Sequence, residues 1–287
     1  MSASTLRLIM PQWQGGNEPG YFLGSKILDV LVPATGGPVE TVDVPAPVAG
    51  VSLETEDGIV ARSAVVRQAK AARAAIERHS PARIVTIGGD CLIDLAPIAY
   101  LREKYGEGLG VLWIDSHPDV LTPAEFAHSH AHVLGLLMGG GDAELAKEVA
   151  VPVARSKVMY AGLNEWMDVE SDRIADIRRA SAEDLAQSSE KVLEWIKEEG
   201  ITHLAVHFDL DVLDPAGFRP LLFNKPDIPE GTWDGIAQGR MAMPEVVRLL
   251  TDVAQEVDVV GLAIAEHLPW DMIGFSRALG QLPLLGG

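Results

Sequence analysis

Four short apolar runs in this chain end abruptly in acidic or histidine-bearing residues, with helical stretches between them. Residues 83–87 run into Gly88-Gly89-Asp90-Cys91, and residues 110–114 into Asp115-Ser116-His117-Pro118-Asp119. Residues 201–208 run into Asp209-Leu210-Asp211-Val212-Leu213-Asp214-Pro215, and residues 257–264 into Ala265-Glu266-His267. Branched apolar runs without alternation suit strands buried on both faces. Strands alternating with helices imply a parallel sheet covered by helices on both sides. Such sheets bind ligands beyond the carboxyl ends of their strands, so the four polar motifs are expected on one rim.

The rest of the chain fits the same alternation. Residues 6–10 read as a first strand, 11–24 as a loop rich in Gly, Pro and Asn, and 39–44 as a strand. Residues 27–32 fit a strand or a helical turn equally well. Residues 59–79 are Ala-rich, free of Gly and Pro, and stopped by Pro81, which predicts a helix. Residues 92–105 and 244–256 read as helices and 158–161 as a strand. Residues 182–199 read as one amphipathic helix stopped by Gly200. Residues 216–240 have little periodicity, and a segment that long inside a compact domain is usually a functional loop. No repeat, low-complexity tract or linker interrupts the pattern. The expectation is one α/β domain over residues 1–287.

Charge narrows the partners. The net charge is −18, a field that repels nucleic acid and anionic membranes and attracts small cations, although it also serves solubility alone. A single cysteine excludes an intramolecular disulfide and fits a reducing compartment. The first thirteen residues lack the basic start and apolar core of a signal peptide. No apolar run approaches the ~20 residues of a membrane span. A cytoplasmic protein is expected.

The chemistry lies in the strand ends. Carboxylates and imidazole packed as closely as Asp115, His117 and Asp119 suit a divalent metal better than a solvated turn. Paired glycines at 88–89 permit close backbone approach. Gly-Gly-Asp-x, Asp-x-His-x-Asp and Asp-x-Asp-x-x-Asp-Pro, in this order and spacing, resemble the ureohydrolase family of arginases and agmatinases over roughly residues 84–268. The resemblance implies a three-layer αβα domain around an about eight-stranded, mostly parallel sheet. It also implies two manganese ions bridged by a hydroxide that attacks a guanidinium carbon and releases urea.

Residue by residue, the resemblance makes Asp115 and Asp209 bridges between the two metals. Asp119 becomes a ligand of the first metal that also orients the hydroxide, and His117 and Asp211 complete the second. The family's histidine after Gly-Gly-Asp is replaced here by Cys91, a thiolate candidate for the first metal that tilts selectivity from manganese toward zinc, nickel or iron. His130 matches the family's proton-shuttling histidine, with His128 and His132 close by. Glu266 matches the glutamate that pairs with the guanidinium. Asp214 reads as a turn former before Pro215. His79, His203 and His207 read as ordinary packing or surface residues.

The departures concern substrate. Arginases carry an Asn where this chain has Leu121, and the segment from Asp119 to His130 is about two residues short. Their Arg-Asp-x-Asp is replaced by Asn164-Glu165-Trp166-Met167, and their Gly-Thr-Pro by Phe218-Arg219-Pro220-Leu221-Leu222. The expected activity is therefore binuclear, metal-dependent hydrolysis of a cationic guanidino or amidino compound other than L-arginine. Cleavage of a formimino C–N bond, or a catalytically inactive binding protein, are the alternatives. Family resemblance implies a homo-oligomer, trimeric or hexameric.

Overall fold

In the computed structural model, residues 4–164 and 166–284 are described. Ten strands occur among them: β1 (Thr5–Met10), β2 (Val39–Thr41), β3 (Thr55–Glu56), β4 (Ile59–Val60), β5 (Arg83–Gly88), β6 (Leu109–Ile114), β7 (Val158–Ala161), β8 (Arg178–Ala180), β9 (His203–Asp209) and β10 (Asp258–Ala265). The helices are α1 (Gly20–Leu31), α2 (Arg62–His79), α3 (Leu95–Tyr105), α4 (Val133–Leu137), α5 (Asp168–Ile174), α6 (Ala182–Gln187), α7 (Glu190–Glu198), α8 (Met243–Glu256) and α9 (Trp270–Leu279). Eight strands form one sheet in the order β2-β1-β5-β10-β9-β6-β7-β8, while β3 and β4 form a separate hairpin. Every pairing in the large sheet is parallel.

Strand alternation divides the core into two. On one face Val111, Trp113, Tyr160 and Ala205 pack with Ala69, Ala72 and Ile76 of α2 and Ile98 of α3. On the other, Leu112, Ile114, Met159 and Val206 pack with Leu185, Trp195 and Leu249 of α6, α7 and α8. Successive side chains of one strand point to opposite faces, so β6 must be apolar at every position to serve both layers. All six of its residues are buried. This is the expected three-layer αβα architecture. Among the described residues no helix is long and apolar enough to cross a membrane.

Several boundaries differ from the sequence expectation. Residues 20–31, read as loop followed by an undecided element, form α1, whose buried face carries Gly20, Tyr21, Gly24, Ser25 and Leu28. Small residues there permit close packing: a Cβ on Gly24 would lie 1.8 Å from the His267 carbonyl oxygen. Their low hydrophobicity also hides the helical period. Ile59 and Val60, expected at the start of a helix, pair with Thr55–Glu56 instead, and the chain enters α2 through Ala61 at φ +50°. The single helix expected over 182–199 is two, because Ser188 is extended and its hydroxyl accepts the Glu190 N–H. A serine hydroxyl competes with helical backbone pairing in this way. The loop of 216–240 contains only a short 3-10 turn at Leu222–Asn224.

Candidate metal centre

Strands β5, β10, β9 and β6 are consecutive in the sheet. Their carboxyl ends carry the four polar motifs, so the motifs meet at the centre of one sheet edge. Two of the motifs fold alike. The Asp115 Oδ1 accepts the His117 N–H at 2.7 Å, and the Asp209 Oδ1 accepts the Asp211 N–H at 2.7 Å. Each Asp-x-His or Asp-x-Asp is thus a turn closed by its own first carboxylate. The turns face each other: His117 Nδ1 lies 2.9 Å from Asp211 Oδ2, and the Ser116 hydroxyl donates to Asp211 Oδ1 at 2.8 Å. Trp113 Nε1 donates to Asp115 Oδ2 at 3.1 Å.

Cys91 opens the 3-10 turn after β5 and places Sγ 2.7 Å from Asp209 Oδ2 and 3.4 Å from Glu266 Oε1. With both atoms bare, the closer contact is repulsive, so it takes a proton on sulfur or a cation beside the pair. Glu266 also accepts from the Tyr21 hydroxyl at 2.6 Å and lies 2.9 Å from His130 Nδ1. Asp119 and Glu266 hold left-handed backbone, at φ +51° and +65°. Side-chain-bearing residues adopt this region at a cost that surrounding structure must offset, and such strain clusters at functional sites.

Asp90, Asp115, Asp119, Asp209, Asp211 and Glu266 are each at most 4% exposed. Among the described residues no Lys or Arg bonds to any of them. Buried carboxylates need partners or a counter-charge. Burial, then repulsion from Asp115, pushes Asp119 up, while burial and then Asp211 and Glu266 push Asp209 up. Burial and neighbouring carboxylates likewise raise the Cys91 thiol. Burial also opposes the charged forms of Asp115 and the histidines, but the pairing of Asp115 with His117 and His207, and of His130 with Glu266, outweighs it. Asp115 is lowered, His117 is raised, and His130 is raised to about 9. A divalent cation would relieve the carboxylates and hold them ionised.

The donors fit such a cation. Oxygen, imidazole or sulfur atoms of Cys91, Asp115, Asp119 and His207 lie within 4.8 Å of one another. The same holds for Asp115, His117 and Asp211, for Asp209, Asp211 and Glu266, and for Cys91, His130 and Glu266. Asp119 Oδ2 and His207 Nε2 are buried without hydrogen-bond partners among the described residues. Atoms left bare in this way, amid soft and hard donors, are what a divalent ion satisfies.

Every residue expected as a ligand or catalytic group falls within these groups. Of the three neighbouring histidines, His130 meets Glu266, whereas His128 packs against the Phe126 ring and His132 bonds the Phe126 carbonyl. Asp214 accepts the Ala216 N–H and fixes the turn, as expected. His79 pairs with Glu40 and His203 stacks on Tyr105. His207, read as ordinary packing, belongs to the cluster. Strand alternation was the available signal, because His207 and Asp209 are two apart on β9 and share a face. Tyr21 carried no such signal, since its segment read as loop. A cleft of about 580 Å³, lined by Asn164, Asp214, Arg219, Asn224 and Arg240 among others, opens beside the cluster without including its carboxylates.

Residues 38–219 match the sequence profile of the arginase family. The chain belongs to this family. The arginase of Entamoeba histolytica is 30% identical over 141 residues, covering 46% of this chain and 48% of that protein. The mitochondrial arginase 1 of Arabidopsis thaliana is 25% identical over 195 residues, covering 68% of this chain and 50% of its own. The chain thus spans about half the length of the relatives it matches in sequence. The fold extends further. The Entamoeba arginase, solved in complex with L-ornithine, superposes with a TM-score of 0.75 at 20% identity, covering 93% of this chain and 91% of that one. Proclavaminate amidino hydrolase from Streptomyces clavuligerus gives 0.62 at 17% identity, covering 93% and 84%.

Against this arginase-family frame, Leu121 is buried and bonds through its backbone to the Ala131 carbonyl, and Met167 is 50% exposed. Glu165 lies outside the described residues.

Proposed function

We propose that this arginase-family chain is a hydrolase with a binuclear divalent metal centre, acting on a guanidino compound other than L-arginine and releasing urea. The observation that carries this reading is the convergence of six buried carboxylates from four adjacent strands, without a Lys or Arg partner among the described residues. Cys91, Asp115, Asp119 and Asp209 would hold the first cation, and Asp115, His117, Asp209 and Asp211 the second. Manganese heads the candidates, with zinc, nickel or iron favoured by a thiolate. When bound, the pair supplies an acidified water as nucleophile.

The chain's own groups do the rest. Glu266, held by Tyr21, pairs with the cationic guanidinium and orients its carbon. Asp119 accepts the proton that the attacking water loses. His130 gives a proton to the departing amine as the C–N bond breaks. A guanidinium and one water thus become urea and an ammonium product. The water oxygen becomes the urea carbonyl, and both of its protons end on the departing nitrogen, which leaves as the ammonium. The apolar Leu121 and the exposed Met167 leave an amino-acid head group without the polar partners that select it. The whole chain, residues 1–287, is taken as one such domain, acting in a reducing compartment as a homo-oligomer.

A panel of guanidino and formimino compounds tests this reading, with urea, formamide and ammonia measured after loading with Mn, Ni, Zn or Fe. Urea from a guanidine other than L-arginine is the expected result. Release from formimino compounds alone would replace the substrate class. No turnover of any compound by fully loaded protein would make the chain an inactive binding protein.

A further inference from the structure

We propose that His207 is an imidazole ligand of the first metal site, beside Cys91, and that Asp94 positions it. This rests on the binuclear reading above. The imidazole that the arginase-family resemblance places directly after Gly-Gly-Asp would then come instead from β9, two strands away in the sheet.

Three features fix the ring. His207 is fully buried on β9, and cross-strand pairing sets it beside Trp113 of β6. The two rings stack at 3.7 Å with an interplanar angle of 11°, which holds the imidazole plane. His207 Nδ1 lies 2.6 Å from Asp94 Oδ2, and Asp94 is 2% exposed, in the turn that Cys91 begins. In the neutral ring, the form that binds a metal, a carboxylate at Nδ1 keeps the proton there and leaves the Nε2 lone pair free. Metal-binding histidines are oriented by this same carboxylate arrangement.

Nε2 points where a ligand should. It has no hydrogen-bond partner among the described residues. It lies 3.7 Å from Asp115 Oδ2, too far for a hydrogen bond, and a nitrogen of this ring lies within 4.8 Å of donor atoms of Cys91, Asp115 and Asp119. Asp119 Oδ2 is bare as well. Two unsatisfied buried ligand atoms, one on β9 and one in the loop after β6, therefore flank one position, together with a thiol and a shared carboxylate. A histidine serving only as a buried ion-pair partner of Asp94 would not need its second nitrogen inside this cluster.

The test uses the full chain, stripped with chelator and reloaded with Co(II) or Mn(II). The parent should hold two tightly bound metals. Histidine-selective ¹⁵N labelling of the Co(II) form should show two strongly shifted imidazole N–H resonances, one lost in H117Q and the other in H207Q. First-site affinity should fall at least ~10-fold in H207Q and ~10- to 100-fold in D94N, which keeps the ring but weakens its support. Circular dichroism of the metal-free forms checks folding, and D94N carries the affinity test if H207Q does not fold. An H207Q that keeps two tight metals and both shifted resonances overturns the proposal. So does a D94N that binds and resonates as the parent does. A parent that binds no metal overturns the binuclear reading itself, before any variant is compared.

Discussion

The Tyr21 hydroxyl donates to Glu266 Oε2 at 2.6 Å, joining the first helix of the fold to the end of the last sheet strand. His130 holds the other oxygen of the same carboxylate at 2.9 Å. Glu266 is therefore fixed at both oxygens before any substrate arrives. Burial raises the Tyr21 phenol, with Glu266 adding to the shift, so the tyrosine stays a donor throughout the working pH range.

Removing that donor should loosen Glu266 without emptying the cluster. A hydrogen bond to a charged group contributes about 1.5–3 kcal/mol, which sets a loss in kcat/KM of roughly ten- to a hundredfold for Tyr21→Phe. Metal content should be unchanged. Steady-state kinetics with the best guanidine, alongside elemental analysis, checks both halves. A variant with parental kcat/KM would remove Tyr21 from the substrate site.

Asp209→Asn should abolish turnover yet raise the thermal midpoint of the metal-free protein. Burial, Asp211 and Glu266 all work against the Asp209 carboxylate, so a neutral amide relieves that repulsion. The same change should erase most of the stabilisation that added metal gives the parent. Calorimetry with and without metal reads both effects. Turnover near the parental rate would mean that Asp209 touches neither cation.

The pH dependence of the metal-free form has a definite sign. Asp119 and Asp209 are raised above the usual 3.8, chiefly by burial. Burial opposes the imidazolium forms, yet Glu266 raises His130 from 6.5 to about 9, and Asp115 with Asp94 raises His207 to about 10. In all four the folded state holds protons that the unfolded state releases. Their contribution is full at low pH and disappears as pH rises through the folded values. Between about pH 4 and 10 these groups make stripped protein lose stability. Metal binding needs those protons gone, so its stabilisation should grow over the same interval. Thermal midpoints of stripped and loaded protein at pH 5.5 and 8.5 decide the matter. A gap that shrinks with pH contradicts it.

How much of this was readable without coordinates depends on where each signal sits. Asp115, Asp119, Asp209 and Glu266 were legible because apolar strands ending in acids leave few other readings, and parallel-sheet topology gathers such ends. His207 lies inside an apolar run, and only its place two residues before Asp209 hints at a shared face. Tyr21 was hidden because the helix bearing it packs through Gly20, Gly24 and Ser25, which erase the apolar period. The edge strand β8 spans Arg178–Ala180, and its charges mask strand character while discouraging edge pairing. The contact between Arg7 and Asp29 ties β1 to α1 but involves no spacing that sequence displays.

L-Arginine should be turned over at least ~100-fold less efficiently, in kcat/KM, than the best alternative guanidine. Discrimination of this size arises when buried polar groups read a head group, and here Leu121 presents only an aliphatic chain. Leu121→Asn should bring the two values closer, chiefly by lowering KM for L-arginine. Equal efficiency in the parent would show that recognition lies elsewhere, for example in the cleft lined by Arg219 and Arg240.

The last prediction concerns Cys91, 2% exposed and 2.7 Å from Asp209 through sulfur. Burial and the surrounding carboxylates raise its thiol, so the metal-free protein should carry a protonated, slow-reacting sulfur. A bound cation reverses this and holds a thiolate. Co(II)-loaded parent should then show a thiolate-to-cobalt absorption band in the near ultraviolet, absent in Cys91→Ala and Cys91→His. The alanine variant should lose first-site affinity by at least ~10-fold, and the histidine variant should keep two metals with preference moved toward manganese, because a neutral imidazole replaces an anionic soft donor. An unchanged cobalt spectrum in Cys91→Ala would leave the sulfur as packing alone. The first cation would then rest on Asp115, Asp119, Asp209 and the imidazole of His207.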